Sequence, residues 1–98
     1  MFVQVIEGRL KSEDGWRTIE EMERTWEQDE SKRAPGYMGG DWLKDRKDPR
    51  HVMAFVRFES AEKAQQNSDR PETNQFYQRM LALLDGPPSF LDCDRVEP

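Results

Sequence analysis

Residues 51–59, HVMAFVRFE, constrain the fold of this chain more than any other stretch. Such a short run of β-branched, aromatic and other apolar residues predicts a strand. Side chains alternate along a strand, so Ala54, Val56 and Phe58 share one face. Met53 and Phe55 share the other, together with Arg57. Large apolar groups therefore stand on both sides. Leaving one of them in water forgoes about 1.5–3 kcal/mol of burial. Phe58 directly precedes a helical segment, so its face is assigned to the helices. Met53, Phe55 and Arg57 then face something else, most simply a second copy related by twofold symmetry.

The flanking segments supply those helices and the rest of a sheet. FVQVIEGRL, 2–10, predicts a first strand, and KSEDG a turn. Trp16, Ile19, Met22, Glu23 and Trp26 follow, with apolar positions 16, 19, 22 and 26 at helical spacing. A helix of about four turns is expected, started by Ser12 or Asp14 and ending near Ser31. Ala34-Pro35-Gly36 is a turn signal. YMGGDWLKD predicts a second strand, in which Gly39-Gly40 marks a bulge or a close backbone approach. RKDPR joins it to strand 51–59 as a hairpin.

Ser60 caps a second helix from Ala61, but AQQNSDRPETNQFY, 64–77, interrupts it. Pro71 lacks an N–H and crowds the preceding turn, so one α-helix cannot run through residue 67. It suits the first position of a new helix. Asn67, Ser68 and Asp69 have short polar side chains able to satisfy the loosened backbone. Alternatively, the break rims a ligand pocket, with Asn74 or Gln75 facing inward. Phe76, Tyr77, Met80, Leu81, Leu83 and Leu84 form an apolar stripe that Gly86 and Pro87-Pro88 end. SFLDCDRVE predicts a last strand. The order βαββαβ predicts an α+β, ferredoxin-like fold: an antiparallel four-stranded sheet with two helices on one face. Residues 1–98 are expected to form one domain.

Charge and composition narrow the partners. The net charge of −5 over 98 residues argues against nucleic acid and anionic membranes. RNA-recognition domains share the element order, and Ala54, Phe55, Val56 and Phe58 match half of their strand pattern. Val52 replaces its glycine and Met53 one of the stacking rings, so RNA is not expected as a partner. The only cysteine is Cys93. MFVQVIEGRL is broken by charges and fits neither a signal peptide nor a spanning helix. A cytoplasmic location is expected. No metal-ligand spacing, phosphate loop or nucleophile elbow is present, and neither a metal nor a cofactor is expected. His51 is the only histidine. With no carboxylate pattern near it in the sequence, it is a poor general base.

PGYMGGDWL and VRFESAEKAQQNSD, set in this βαββαβ order, resemble the antibiotic biosynthesis monooxygenase family over residues 2–96. The chain looks most similar to small actinobacterial members of unassigned activity. The resemblance implies a homodimeric α/β barrel, with a pocket between sheet and helices in each subunit. It also implies cofactor-independent oxidation of an aromatic or polycyclic phenol, or a non-catalytic relative that binds a small ligand. The haem-degrading branch of the family shares the Asn67-Ser68-Asp69 step. Its asparagine, tryptophan and histidine positions hold Gly8, Phe58 and Gln75 here, so haem degradation is disfavoured. Pocket candidates are Trp26, Tyr37, Trp42, Phe58, Asn74 and Gln75. Tyr77 is a further phenol that could bind a ligand by hydrogen bond. Interface candidates are Met53, Phe55 and Arg57, the last paired across the interface with Glu7, Asp92 or Asp94.

Overall fold

A computed structural model describes residues 1–97. The elements run β1 (Phe2–Arg9), α1 (Gly15–Asp29), β2 (Tyr37–Lys44), β3 (His51–Phe58), α2 (Ala61–Ser68), α3 (Pro71–Leu83) and β4 (Ser89–Asp94). The strands form one antiparallel sheet in the order β2-β3-β1-β4. This is the ferredoxin-like α+β fold, with the second helix of the motif divided into α2 and α3. No described helix is long and apolar enough to cross a membrane.

The register sorts the sheet into two faces. Val52, Ala54 and Phe58 are buried beneath the helices. Phe2 pairs with Phe58, Gln4 with Val56 and Ile6 with Ala54, which puts these residues on the same face. Val3, Val5 and Glu7 pair with Arg57, Phe55 and Met53 on the opposite face. Leu43 and Leu91 extend that second face outward, 42% and 60% exposed. All three helices leave it bare.

At the closed end of the helical layer, Leu10, Ile19, Val52 and Leu84 pack into a buried cluster, flanked by Trp16, Trp42, Leu81 and Leu83. Leu84 reaches it by leaving the helix. The glycine at 86 was expected to end α3, yet the helix stops at Leu83. The Lys11 N–H donates to the Leu83 carbonyl and the Asp85 N–H to the Arg9 carbonyl. These bonds draw Leu84 into an extended bridge with Leu10. Trp16 is fixed by its indole N–H, which donates to the Pro49 carbonyl at 2.6 Å.

Two local details differ from expectation. Asp14 stands at the start of α1, but its side chain makes no capping bond. The Ser12 hydroxyl instead accepts the Asp14 N–H at 3.1 Å, bracing the turn before the helix. The double glycine does make a bulge, where the β2–β3 register shifts between Tyr37 and Gly39. Gly39 has φ of +128°, and a Cβ there would stand 2.7 Å from the Arg57 guanidinium. Arg57 lies across this glycine and donates to Asp41 at 2.7 Å. Within the chain it is therefore already paired, and the partners expected across an interface, Glu7, Asp92 or Asp94, would have to share it with Asp41.

Candidate functional site

Between the covered face of the sheet and the helices lies a cavity of about 100 Å³. Five rings wall it: Trp26 from α1, Tyr37 and Trp42 from β2, Phe58 from β3 and Phe76 from α3. Trp26 sits 6.1 Å from Tyr37 and 5.1 Å from Phe76, centroid to centroid, and Tyr37 sits 6.1 Å from Phe58. Edge and tilted contacts of this kind suit the ring quadrupoles. Gly40 lies beside this space, where a Cβ would meet the Phe55 carbonyl at 3.3 Å and the Tyr37 hydroxyl at 3.5 Å.

The polar groups are few and specific. The Trp42 indole N–H donates to Glu23 Oε2 at 2.8 Å. One turn along α1, Glu27 Oε1 accepts the Tyr37 hydroxyl at 2.8 Å. Burial raises the Glu23 pKa above its ordinary value of 4.5, the Trp42 N–H opposes the rise, and Glu27 and Asp41 add to it. Burial and the bond to Glu27 hold the Tyr37 phenol protonated well beyond neutral pH.

Asn67, 6% exposed, also lines the cavity. Its Oδ1 accepts the Thr73 hydroxyl at 2.9 Å and faces an Arg70 N–H at 3.5 Å. A guanidinium can only donate, which orients the amide with Oδ1 toward Arg70. Its Nδ2 makes no hydrogen bond among the described residues. Arg70 in turn binds Glu30 at 2.7 Å. The interruption of the helix is therefore a built joint whose Asn67 also lines the cavity. Asn67→Ala is expected to cost about 1–3 kcal/mol, because Thr73 and Arg70 lose their acceptor. An unchanged urea midpoint would show that the joint does not need the amide.

The raised Glu23 pKa has a signed consequence. The folded chain holds this proton more tightly than the unfolded chain, so the stabilisation is full below pH 4.5. It is lost as pH rises through the folded value. Over that window the stability difference between Glu23→Gln and the parent chain should shift in favour of the variant as pH rises. Thermal unfolding at stepped pH reads this, and a constant difference would refute it.

A second groove, about 230 Å³, shares Gln4, Ser68 and Thr73 with the first and is bounded outside by Asn74, Tyr77 and Phe90. The pocket candidates thus divide. Trp26, Tyr37, Trp42 and Phe58 meet around the inner cavity, whereas Asn74 borders the outer groove. Gln75 is exposed and lines neither, because at this phase of α3 it is Phe76 that points at the sheet. Glu23, Asn67 and Phe76 were not among the candidates for the inner cavity. The available signal for Glu23 was a charge inside the apolar stripe of α1.

His51 also departs from expectation. Its Nδ1 lies 3.0 Å from Asp45 Oδ2 and its Nε2 2.7 Å from Glu7 Oε2. Asp45, then Glu7, raises its pKa by hydrogen bonding to the charged ring. This cluster stands on the bare face of the sheet, away from the cavity. The remaining interface candidates, Met53 and Phe55, are half-buried on that same face.

No protein-family profile matches the chain, and no curated protein does. Solved structures match it throughout. A Streptomyces coelicolor monooxygenase from the gene ActVA-Orf6, solved with Nanaomycin D, superposes with a TM-score of 0.82 at 18% identity, over 99% of this chain and 88% of that one. SnoaB, a cofactor-independent oxygenase of Streptomyces nogalater, gives 0.73 at 11% identity, over 99% and 96%. A further antibiotic biosynthesis monooxygenase gives 0.77 at 14% identity, over 99% and 100%. The chain has the fold of the antibiotic biosynthesis monooxygenases, as its motifs implied.

Proposed function

We propose that the chain is a cofactor-independent monooxygenase-like protein acting on a small electron-rich aromatic molecule, most simply a phenol. The observation that carries this reading is the ring-walled cavity with an acceptor carboxyl at Glu23 and a donor amide at Asn67. Oxygenation without a cofactor draws its electrons from the substrate. A phenol and O₂ give a quinone and water: one oxygen atom enters the ring and the other leaves reduced. Glu23 would accept the phenol proton, and Asn67 Nδ2 would hold the ring oxygen. The aromatic walls would exclude bulk water. Trp42 and Tyr37 position the two carboxyl groups.

At about 100 Å³, the inner cavity has room for no more than one ring. A polycyclic substrate would have to run on into the outer groove, past Thr73 and Ser68. This small volume favours a second reading, a barrel that binds a small ligand without chemistry. An oxygen electrode separates the two. With monocyclic and bicyclic phenols, the enzyme should consume one O₂ per quinone formed. Binding without uptake across the panel would leave the non-catalytic reading.

The same proposal includes a homodimer and a cytoplasmic location. The bare sheet face supports the dimer: Val3, Val5, Met53 and Phe55 form an apolar centre beside exposed Leu43 and Leu91. Arg57–Asp41 stands at one end and Glu7–His51–Asp45 at the other. Monomers seldom leave an apolar patch of this kind in water.

A further inference from the structure

The inner cavity has a one-sided charge. Glu23 lines it, Asp41 borders it from β2 with its side chain on the opposite face of the sheet, Glu27 adjoins it through Tyr37, and no Lys, Arg or His lines it among the described residues. Asp41 is matched by Arg57. Glu23 and Glu27 have no cationic partner among the described residues. They are held instead by two neutral donors, the Trp42 N–H and the Tyr37 hydroxyl. Glu27 is exposed, but Glu23 is half-buried, and a carboxylate drawn out of water without a counter-ion is costly. Trp26, Tyr37 and Trp42 line the same cavity, Trp42 in direct contact with Glu23. Aromatic faces attract cations through their quadrupoles, and more strongly once water is removed.

A phenolate or carboxylate ligand would add negative charge to this surface. A cationic ligand would supply the missing counter-charge. Asn67 gives independent support that a ligand belongs here: the residue is more than nine-tenths buried and lines the cavity, and its Nδ2, which keeps some solvent contact, makes no hydrogen bond among the described residues. Nδ2 can serve a ring oxygen while the carboxyl groups serve a nitrogen.

We propose that the ligand of this cavity is a hydroxyaryl alkylamine: one ring, carrying a hydroxyl, with a protonated side-chain nitrogen that sits among Glu23, Glu27 and the rings of Trp26, Tyr37 and Trp42. This rests on the ligand site of the proposed function and specifies its substrate class.

Three probes of equal ring size test the charge: tyramine, 4-ethylphenol and 3-(4-hydroxyphenyl)propionate. Titration calorimetry at low salt should rank them cation, neutral, anion. Tyramine should bind about tenfold or more tightly than 4-ethylphenol, the range of a desolvated cation–aromatic contact with a carboxylate behind it. Glu23→Gln keeps the acceptor for the Trp42 N–H and should compress the ratio to about threefold or less. Glu27→Gln is the second variant and should reduce it as well. Equal affinities, tighter binding of the anion, no binding by any probe, or a ratio unchanged in both variants would overturn the proposal. Oxygen uptake with the same probes separates it from the functional reading. Tyramine bound without uptake leaves the amine site and removes the oxygenase. Uptake with all three at similar KM leaves the oxygenase and removes the charge selection.

Discussion

Leu10→Ala is expected to cost about 3–5 kcal/mol, the upper part of the range for a buried leucine. Leu10 is fully buried and meets Ile19, Val52 and Leu84, which come from a helix, a strand and the capture of α3 by β1. A Cβ placed at Gly15 would stand 3.1 Å from its methyl group, so α1 already begins hard against it. Contacts from opposite sides keep the surroundings from collapsing into the void. Domains of this size have about 5–15 kcal/mol in total, so the variant should be largely unfolded at modest urea. A loss below about 1 kcal/mol in equilibrium unfolding would mean that the site relaxes freely and that the Leu10–Leu84 bridge is not a structural pin.

Phe55→Asp is expected to turn a dimer into a monomer without unfolding it. Phe55 is central on the bare face, paired with Val5 on one side and Asp41 on the other. Its ring is only half-buried within the chain, so the isolated fold depends on it little. In a twofold arrangement one substitution puts two carboxylates into the middle of the interface, each desolvated and unpaired. Light scattering after gel filtration should give twice the chain mass for the parent and the chain mass for the variant, with matching far-ultraviolet dichroism. A parent chain that is already monomeric would remove the dimer from the proposed function. A variant that stays dimeric would place the interface elsewhere.

The strands and helices were legible because their patterns are local. The apolar runs, the Pro-Gly turn and the proline at 71 each act on their own neighbours. What escaped notice depends on pairing over long distances. Leu84 has helical spacing, but bonds from Lys11 and Asp85 override it. His51 looks solitary because Glu7 comes from another strand and lies 44 residues away. The Arg57–Asp41 pair is hidden from the sequence because nothing in β3 shows that Asp41 stands opposite Phe55. Within the site, Trp26, Tyr37, Trp42 and Phe58 share the covered face, a property that alternation and helical period reveal. Asn74 and Gln75 were placed by proximity to the break, which does not set the rotational phase of α3. Glu23 could have been noticed as a charge among apolar positions, but its Trp42 partner could not.

The central position of β1 bears on the order in which the molecule is assembled during synthesis. Phe2 pairs with Phe58 on one flank and with Asp94 on the other. The strand made first is thus the one whose neighbours arrive late, and only the β2–β3 hairpin closes locally. A growing chain carries β1 unpaired through the whole synthesis of α1, β2 and β3, and its second edge stays open until β4 has left the ribosome. Non-local closure of this kind slows folding and prolongs the exposure of apolar strands.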